Sequence, residues 1–133
     1  NPAVALDDIG KEFILPEEKK ATLPERIGTN PRKLSPYHHL DKNLPPTIIF
    51  HGTEDEAVPF VTVRLFQEKA SGLGLSCKLV SFPGKPHGFF NWGRFENKPF
   101  IQSMLETDLF LTKLGWLKGK PTIDQFISIQ SER

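Results

Sequence analysis

Residues 45–60, with the sequence PPTIIFHGTEDEAVPF, decide the fold. Two prolines precede the segment 47–50, TIIF, which ends in three consecutive large apolar residues with no polar residue between them. Such a run is typical of a strand covered on both faces, as in a parallel sheet, because a half-exposed strand would alternate. A glycine turn and the acidic triplet 54–56 follow at once. The stretch therefore predicts a buried strand that delivers a carboxylate to the edge of a sheet.

The segments after this strand alternate between helix and strand patterns. Pro59 suits the first turn of a helix, and apolar residues at steps of three and four then form one stripe that ends near two glycines. Residues 75–82 change to a period of two and predict a second strand, in which Lys78 indicates a position near the sheet edge. A longer helix is predicted to begin at Pro99 and to end at Gly115. The stripe comprises Val63, Phe66, Ala70 and Leu73, and the apolar arc of the longer helix comprises Phe100, Ile101, Met104, Leu105 and Leu111. Met104 and the aromatic residues of this arc are expected to belong to the core.

The two ends of the chain carry weaker signals. Residues 1–34 contain four prolines among charged residues, so they predict one or two short helices and no long regular element. Residues 118–133 alternate weakly and indicate only a C-terminal tail. The sequence thus predicts a lid or connector over 1–34, a βαβα unit over 35–117 and a tail over 118–133.

Composition excludes several classes of function. The chain has 17 Lys and Arg against 16 Asp and Glu, so charge offers no basis for binding nucleic acid or an anionic membrane. No apolar run approaches the ~20 residues that a membrane-spanning helix needs, and no signal-peptide pattern opens the chain. We therefore expect a soluble protein, with its compartment undetermined. The single cysteine, Cys77, excludes an internal disulfide and indicates a buried, unreactive thiol.

Asp55 and His87 are the candidate catalytic residues, because each follows one of the two predicted strands. A strand–helix–strand crossover brings the carboxyl ends of parallel strands to one edge of the sheet, so both side chains are expected there. A carboxylate beside an imidazole fixes the tautomer of the ring and stabilises the imidazolium that forms when the other nitrogen takes a proton. Each residue also has a simpler explanation, Asp55 as an acid at a helix N-terminus and His87 as an ordinary loop histidine.

Neighbouring residues leave further alternatives. Either glutamate beside Asp55 could be the working acid. The other three histidines do not have the spacing of a recognised metal site, so we expect neither a metal nor an organic cofactor. His51 is expected to pack in the turn, and the aromatic residues after His87 to pack beneath its loop. These residues are the glutamates Glu54 and Glu56, the histidines His38, His39 and His51, and the aromatic residues Phe89, Phe90 and Trp92.

The two motifs together resemble the C-terminal part of an α/β-hydrolase of the esterase/lipase and prolyl-oligopeptidase-like group. In that group the acid lies in a His-Gly-x-x-Asp-x-x-Val-Pro pattern and the histidine in a short His-Gly motif. Here these are residues 51–59, HGTEDEAVP, and residues 86–89, PHGF. The resemblance covers roughly residues 35–117. It implies parallel strands alternating with helices, and a Ser-Asp-His triad to which this chain supplies Asp55 and His87.

The nucleophile of that triad is missing from the sequence. In this fold it precedes the acid on a Gly-x-Ser-x-Gly turn, and no such turn occurs here. The string at 74–78 lacks the final glycine and lies on a predicted strand, while Ser35 is expected to be a turn serine. We therefore expect the C-terminal segment of a hydrolase, with an incomplete sheet and no activity by itself.

The resemblance implies that the parent protein is a serine carboxylic-ester hydrolase for small acyl esters, including acetylated carbohydrates. A serine peptidase of prolyl-oligopeptidase type is the alternative. A hypothesis of another class is a non-catalytic fragment that acts only by association. An unpaired apolar strand edge favours self-association or binding of the missing N-terminal half, and these are the expected partners besides the ester.

Overall fold

The computed structural model describes residues 1–131 and divides the chain into two compact units, Asn1–His87 and Gly88–Arg133. The first unit contains both strands and three α-helices, and the second contains two α-helices. A short 3₁₀ turn precedes α2 and another precedes α4. The elements are α1 (Glu17–Ile27), a 3₁₀ turn (Pro31–Leu34), α2 (Pro36–His39), β1 (Thr47–Gly52), α3 (Phe60–Gly72), β2 (Cys77–Phe82), a 3₁₀ turn (Phe95–Asn97), α4 (Lys98–Lys113) and α5 (Ile123–Ser131).

The two strands form a parallel pair joined by α3. Thr47 lies opposite Cys77 at one end of the pair and Gly52 lies opposite Phe82 at the other. Helix α3 begins directly after Pro59, as its pattern predicts, and packs against the strands. The predicted α/β class with parallel strands alternating with helices is therefore confirmed.

Strand β1 is buried on one face only. Ile49 and His51 point to the same side and are buried, whereas Ile48 and Phe50 on the other side are half-buried. The prediction that β1 is covered on both faces is thus wrong for one face. Within residues 1–131, β1 is hydrogen-bonded to β2 alone, so the sheet has two strands.

The apolar core of the first unit lies on the Ile49 side of β1. Val63, Phe66 and Ala70 of the predicted α3 stripe are buried there, whereas Leu73 is exposed because it follows the end of the helix. Cys77 is buried in the same cluster, as expected, and burial raises the pKa of its thiol. A second cluster is formed by Ala5, Ile9, Phe13, Leu15 and Leu65.

The N-terminal segment contributes more to this core than its sequence suggests. Helix α1 has 11 residues, longer than predicted, and contains Pro24. It ends at Gly28, whose φ of 70° requires the left-handed conformation that glycine adopts readily. The residues before α1 bury five apolar side chains, because a short loop folds back on itself through the Ile9–Phe13 bridge.

The second unit is built around α4. This helix begins at Lys98, one residue before the predicted start, and ends before Gly115, which has a φ of 76°. Pro99 is the only buried residue of α4, and Met104 is 44% exposed, so the prediction that Met104 belongs to the core is wrong. Trp92 contacts the rings of Phe100 and Phe126 at centroid distances of 5.2 and 5.6 Å.

The tail that the sequence left unassigned contains α5. Across the described part of the chain, no helix combines the length and apolarity needed to span a membrane.

Candidate active site

The loop that follows β1, residues 53–58, is folded around the side chain of Asp55. Oδ1 of Asp55 accepts the backbone N–H groups of Ala57 and Val58, with N···O distances of 3.0 and 2.8 Å. Its Oδ2 lies 2.6 Å from the side-chain nitrogen of Asn1, which donates to it. The carboxylate has no exposed surface. These bonds hold both oxygens of Asp55 in fixed directions.

His87 lies on the loop that follows β2 and contacts the same carboxylate. Its Nδ1 lies 2.9 Å from Oδ2 of Asp55 and 3.2 Å from Oδ1. A carboxylate only accepts, so Nδ1 carries the proton and the tautomer is fixed. The side chain of His87 is 51% exposed. The structure thus brings the two predicted residues together, with the acid buried and the imidazole reaching the surface.

The two loops are bonded to each other beside this contact. Thr53 donates its backbone N–H to the carbonyl of Phe82 at 3.1 Å, and Glu54 donates to the carbonyl of Lys85 at 3.1 Å. In the reverse direction, the N–H of Gly84 donates to Oγ1 of Thr53 at 2.9 Å. The spacing between Asp55 and His87 is therefore set by backbone hydrogen bonds as well as by the side chains.

Gly52 permits this close approach of the loops. A Cβ atom at this position would collide with the backbone carbonyl of Lys85, which no side-chain rotation could relieve. The glycine of the His51-Gly52 motif is thus required by the contact between two chain segments.

His51 is a site residue whose role the sequence pattern did not predict. Its side chain has no exposed surface, and Nε2 lies 2.8 Å from the carbonyl oxygen of Val58 and 3.3 Å from Oδ2 of Asp55. The expectation that it packs in the turn is correct in location but omits the contact with Asp55. The spacing of four residues between the two was the available signal. Nothing in the sequence pointed to Asn1.

Burial and hydrogen bonding act on Asp55 in opposite directions. Loss of solvent is the largest single effect and raises its pKa, but the bonds from Val58 and His87, together with the charge interactions with His87 and His51, outweigh it. The pKa of Asp55 is therefore lowered from 3.8, and the carboxylate is ionised at neutral pH. Burial lowers the pKa of His51 below 6.5, more than its bond to Val58 raises it, so this ring is neutral at neutral pH.

An open cavity of about 670 Å³ lies against His87. Its walls combine apolar and acidic residues, and both glutamates that flank Asp55 are exposed on it. The cavity is lined by Glu54, Glu56, Ala57, Pro86 and His87. It is large enough for a small organic molecule placed beside the imidazole.

The remaining candidates lie elsewhere in the first unit. Ser35 is fully buried, accepts the N–H of Leu6 at 3.0 Å and lies 2.8 Å from Nδ1 of His38, so it links the N-terminal segment to α2. His39 contacts the carbonyl of Arg32. Among the side chains that the structure describes, no group of three or more His, Cys, Asp or Glu residues is arranged to hold a metal ion.

Comparison with known proteins gives concordant results. The prolyl oligopeptidase family matches residues 10–115. The structure of Thermogutta terrifontis esterase 2 phosphonylated by sarin is 45% identical, with a TM-score of 0.83 over 90% of this chain and 44% of that one. The propionate-bound structure of the same esterase gives 44% identity and a TM-score of 0.79, over 90% of this chain and 43% of that one.

A curated relative, the "Probable isoprenylcysteine alpha-carbonyl methylesterase" of Arabidopsis thaliana, is 36% identical over 64 residues, which are 48% of this chain and 13% of the relative. The chain thus spans less than half the length of these proteins. The family match covers most of the chain, and the solved esterases share its fold. The chain belongs to the prolyl oligopeptidase family of the α/β-hydrolase superfamily.

Proposed function

We propose that Asp55 and His87 are the acid and the histidine of a Ser-Asp-His triad in a carboxylic-ester hydrolase, and that this chain is the C-terminal segment of that enzyme. The observation that carries the proposal is the 2.9 Å contact between Nδ1 of His87 and the buried Oδ2 of Asp55, beside an open cavity. The acid orients the ring and stabilises its protonated form, and the ring is accessible to a nucleophile and a substrate.

The reaction follows from this arrangement. A serine outside these 133 residues attacks the acyl carbon, and its proton passes to Nε2 of His87. The tetrahedral intermediate then expels the alcohol, which takes that proton and leaves an acyl-enzyme. Water, activated by the same imidazole, releases the carboxylic acid and restores the serine. Asp55 remains ionised throughout and holds Nδ1–H.

The substrate we propose is an ester with a small acyl group. Structures of the related Thermogutta esterase contain propionate and butyrate, and the Arabidopsis relative is named as a methylesterase. Phosphonylation of the Thermogutta enzyme by sarin indicates a nucleophile that forms covalent adducts, as an acyl-enzyme route requires. Acetylated carbohydrates are the narrower class to test first. A peptidase is the alternative, favoured by the name of the family.

The partner we propose is the N-terminal half of the hydrolase domain. Strand β1 is hydrogen-bonded on one side by β2, and Ile48 and Phe50 remain half-buried on one face. A neighbouring strand beside β1 would satisfy its second edge and cover these side chains. The same half would supply the serine. In its absence, the exposed edge favours self-association.

The test of the triad is Asp55→Asn in the full-length protein. The asparagine oxygen can still accept the N–H groups of Ala57 and Val58, so we expect the fold to persist. It cannot hold His87 in the same tautomer with its amide nitrogen, so kcat for p-nitrophenyl acetate should fall by about 10⁴. A loss below tenfold would contradict the proposal.

Asp41→Asn is the matched control. Its Oδ1 also accepts the N–H two residues ahead, from Asn43 at 2.8 Å, but Asp41 faces solvent. We expect little change in kcat. If Glu54→Gln or Glu56→Gln instead causes the large loss, the working acid is that glutamate. Preference for an amide over the matched ester would favour the peptidase. Hydrolysis by the 133-residue chain alone that disappears in His87→Ala would overturn the need for a separate serine.

A further inference from the structure

His51 has a single N–H group that faces two acceptors of the Asp55 loop. Its Nε2 lies 2.8 Å from the carbonyl oxygen of Val58 and 3.3 Å from Oδ2 of Asp55. A carbonyl oxygen only accepts, so Nε2 must carry the proton. The shorter contact is the main hydrogen bond, and the same N–H is also close enough to attract the carboxylate oxygen that His87 contacts.

The opposite side of the ring indicates that His51 acts in its neutral form. Its Nδ1 is buried and has no hydrogen-bond partner in the described structure. Protonation there would create a buried N–H without an acceptor, which is unfavourable. Burial lowers the pKa of the ring in the same sense. The groups that face it are Asp55, the amino terminus at Asn1 and His87, together with the aromatic ring of Phe60 at a centroid distance of 6.0 Å.

Val58 connects His51 with the acid through the backbone. Its N–H donates to Oδ1 of Asp55 at 2.8 Å, and its carbonyl accepts from His51 at 2.8 Å. Both polar groups of this residue are therefore used to close the loop. If the His51 bond is lost, the carbonyl of Val58 is no longer held in place. The loop can then change its conformation and with it the direction of the Asp55 carboxylate, to which the N–H of Val58 donates.

We propose that His51 is a positioning residue, which acts as a neutral Nε2–H donor to hold the Asp55 loop closed and to keep Oδ2 of Asp55 directed at Nδ1 of His87. The effect on catalysis rests on the proposed triad, whereas the effect on Asp55 does not. His51 does not line the cavity and has no exposed surface, so we place its effect on the reaction in the Asp55 loop that it contacts.

Three substitutions distinguish the effect of the His51 N–H group from the effect of the volume of its side chain. His51→Gln places an amide N–H near the position of Nε2, because its side chain reaches the same distance from the backbone. His51→Asn carries the same amide on a shorter side chain that does not reach Val58. His51→Phe keeps an aromatic ring without a donor. His38→Phe is the control, since Nε2 of His38 also contacts a backbone carbonyl, that of Asp8 at 3.0 Å, away from Asp55.

The first measurement is the titration of the Asp55 carboxyl carbon by NMR in the 133-residue chain. We expect the pKa of Asp55 to rise in the Asn and Phe variants, because the carboxylate loses a donor and part of its fixed geometry. The Gln variant and His38→Phe should keep the wild-type titration. Nitrogen chemical shifts of His51 should show the proton on Nε2.

The second measurement is turnover by the full-length protein. We expect kcat to fall on the order of 10- to 100-fold in the Asn and Phe variants at unchanged KM, with most of the loss restored in the Gln variant. Thermal unfolding of each variant identifies any that do not fold. If the Phe variant does not fold, the Gln and Asn pair still decides the question.

Two outcomes would overturn the role of His51. One is an Asp55 titration that is the same in every variant, and the other is an equal shift in the Gln, Asn and Phe variants, which would assign the effect to packing. A proton on Nδ1 of His51 would contradict the proposed tautomer. If the full-length protein has no hydrolase activity, the proposed function fails, but the Asp55 titration still decides whether His51 positions the carboxylate.

Discussion

The loop at residues 53–58 and the loop at residues 83–87 are bonded to each other, yet their functional side chains are held in different ways. Asp55 has no exposed side-chain surface, and its two oxygens accept from backbone and side-chain donors in three parts of the chain. The side chain of His87 is 51% exposed and contacts Asp55 along one edge of its ring.

This difference matches what each residue does in the proposed triad. The acid keeps one charge and one orientation, so hydrogen bonds that fix it cost nothing during the reaction. The histidine must exchange protons with a nucleophile and a leaving group, so one edge of its ring has to be accessible. The first loop therefore holds its side chain rigidly, and the second leaves its side chain accessible. Three experiments test this contrast, beginning with the largest expected effect.

Gly52→Ala should cause the largest effect, because it acts on the contact that both loops share. The added Cβ would meet the backbone carbonyl of Lys85, and neither group can rotate away. The loops must separate, and we expect the free energy of unfolding to decrease by about 3 kcal/mol or more. Urea denaturation of the 133-residue chain measures the change.

Gly72→Ala is the control for this substitution. Gly72 lies in the last turn of α3, and a Cβ there meets nothing within 4 Å. Alanine is the better helix former, so stability should stay the same or increase by up to about 1 kcal/mol. Equal effects of the two substitutions would show that the approach of the loops does not limit the choice of residue 52.

Truncation of the two functional side chains should give unequal losses of stability. Asp55→Ala leaves the N–H groups of Ala57 and Val58 without their acceptor, and we expect a loss of about 2–4 kcal/mol. His87→Ala removes a half-exposed ring and should cost about 1 kcal/mol or less. Thermal and urea unfolding of both variants gives the comparison. A larger loss of stability for His87→Ala would contradict the inference that Asp55 is held more rigidly than His87.

Acid should weaken the first loop in two separate pH ranges. The pKa of Asp55 in the folded chain is below 3.8, so the unfolded chain binds the proton more readily, and the stability contributed by Asp55 decreases as the pH falls below that value. His51 also has a folded-state pKa below its ordinary value, here 6.5. The unfolded chain again binds more protons, so this contribution begins to decrease as the pH falls through 6.5.

Variants assign each range to its residue. Unfolding free energies measured between pH 8 and pH 2 should lose their dependence near and below pH 6.5 in His51→Gln, whereas Asp55→Asn should reduce the dependence below pH 3.8. We expect this to be the smallest of the three effects, because each step concerns one proton. An unchanged profile in both variants would show that neither group is linked to folding.

Much of the site could be predicted from the sequence because its signals are local. The apolar run before Gly52, the helix after Pro59 and the alternation at 77–82 each depend on neighbouring residues. The crossover rule then places the ends of both strands at one edge, so a contact between Asp55 and His87 could be expected before any coordinate was known. The absence of a Gly-x-Ser-x-Gly pattern could also be seen directly in the sequence.

The tertiary structure alone decided how the acid is held. Two of its contacts join residues that are distant in sequence: the Asn1 amide donates to Asp55, and the carbonyl of Lys85 lies against Gly52. The burial of only one face of β1 also depends on which segments pack against the strand. The exposure of Met104 shows the same limit, because a helical stripe predicts which side chains share a face but not what covers that face. Periodicity reports local geometry, whereas burial and hydrogen-bond partners depend on segments that only folding brings together.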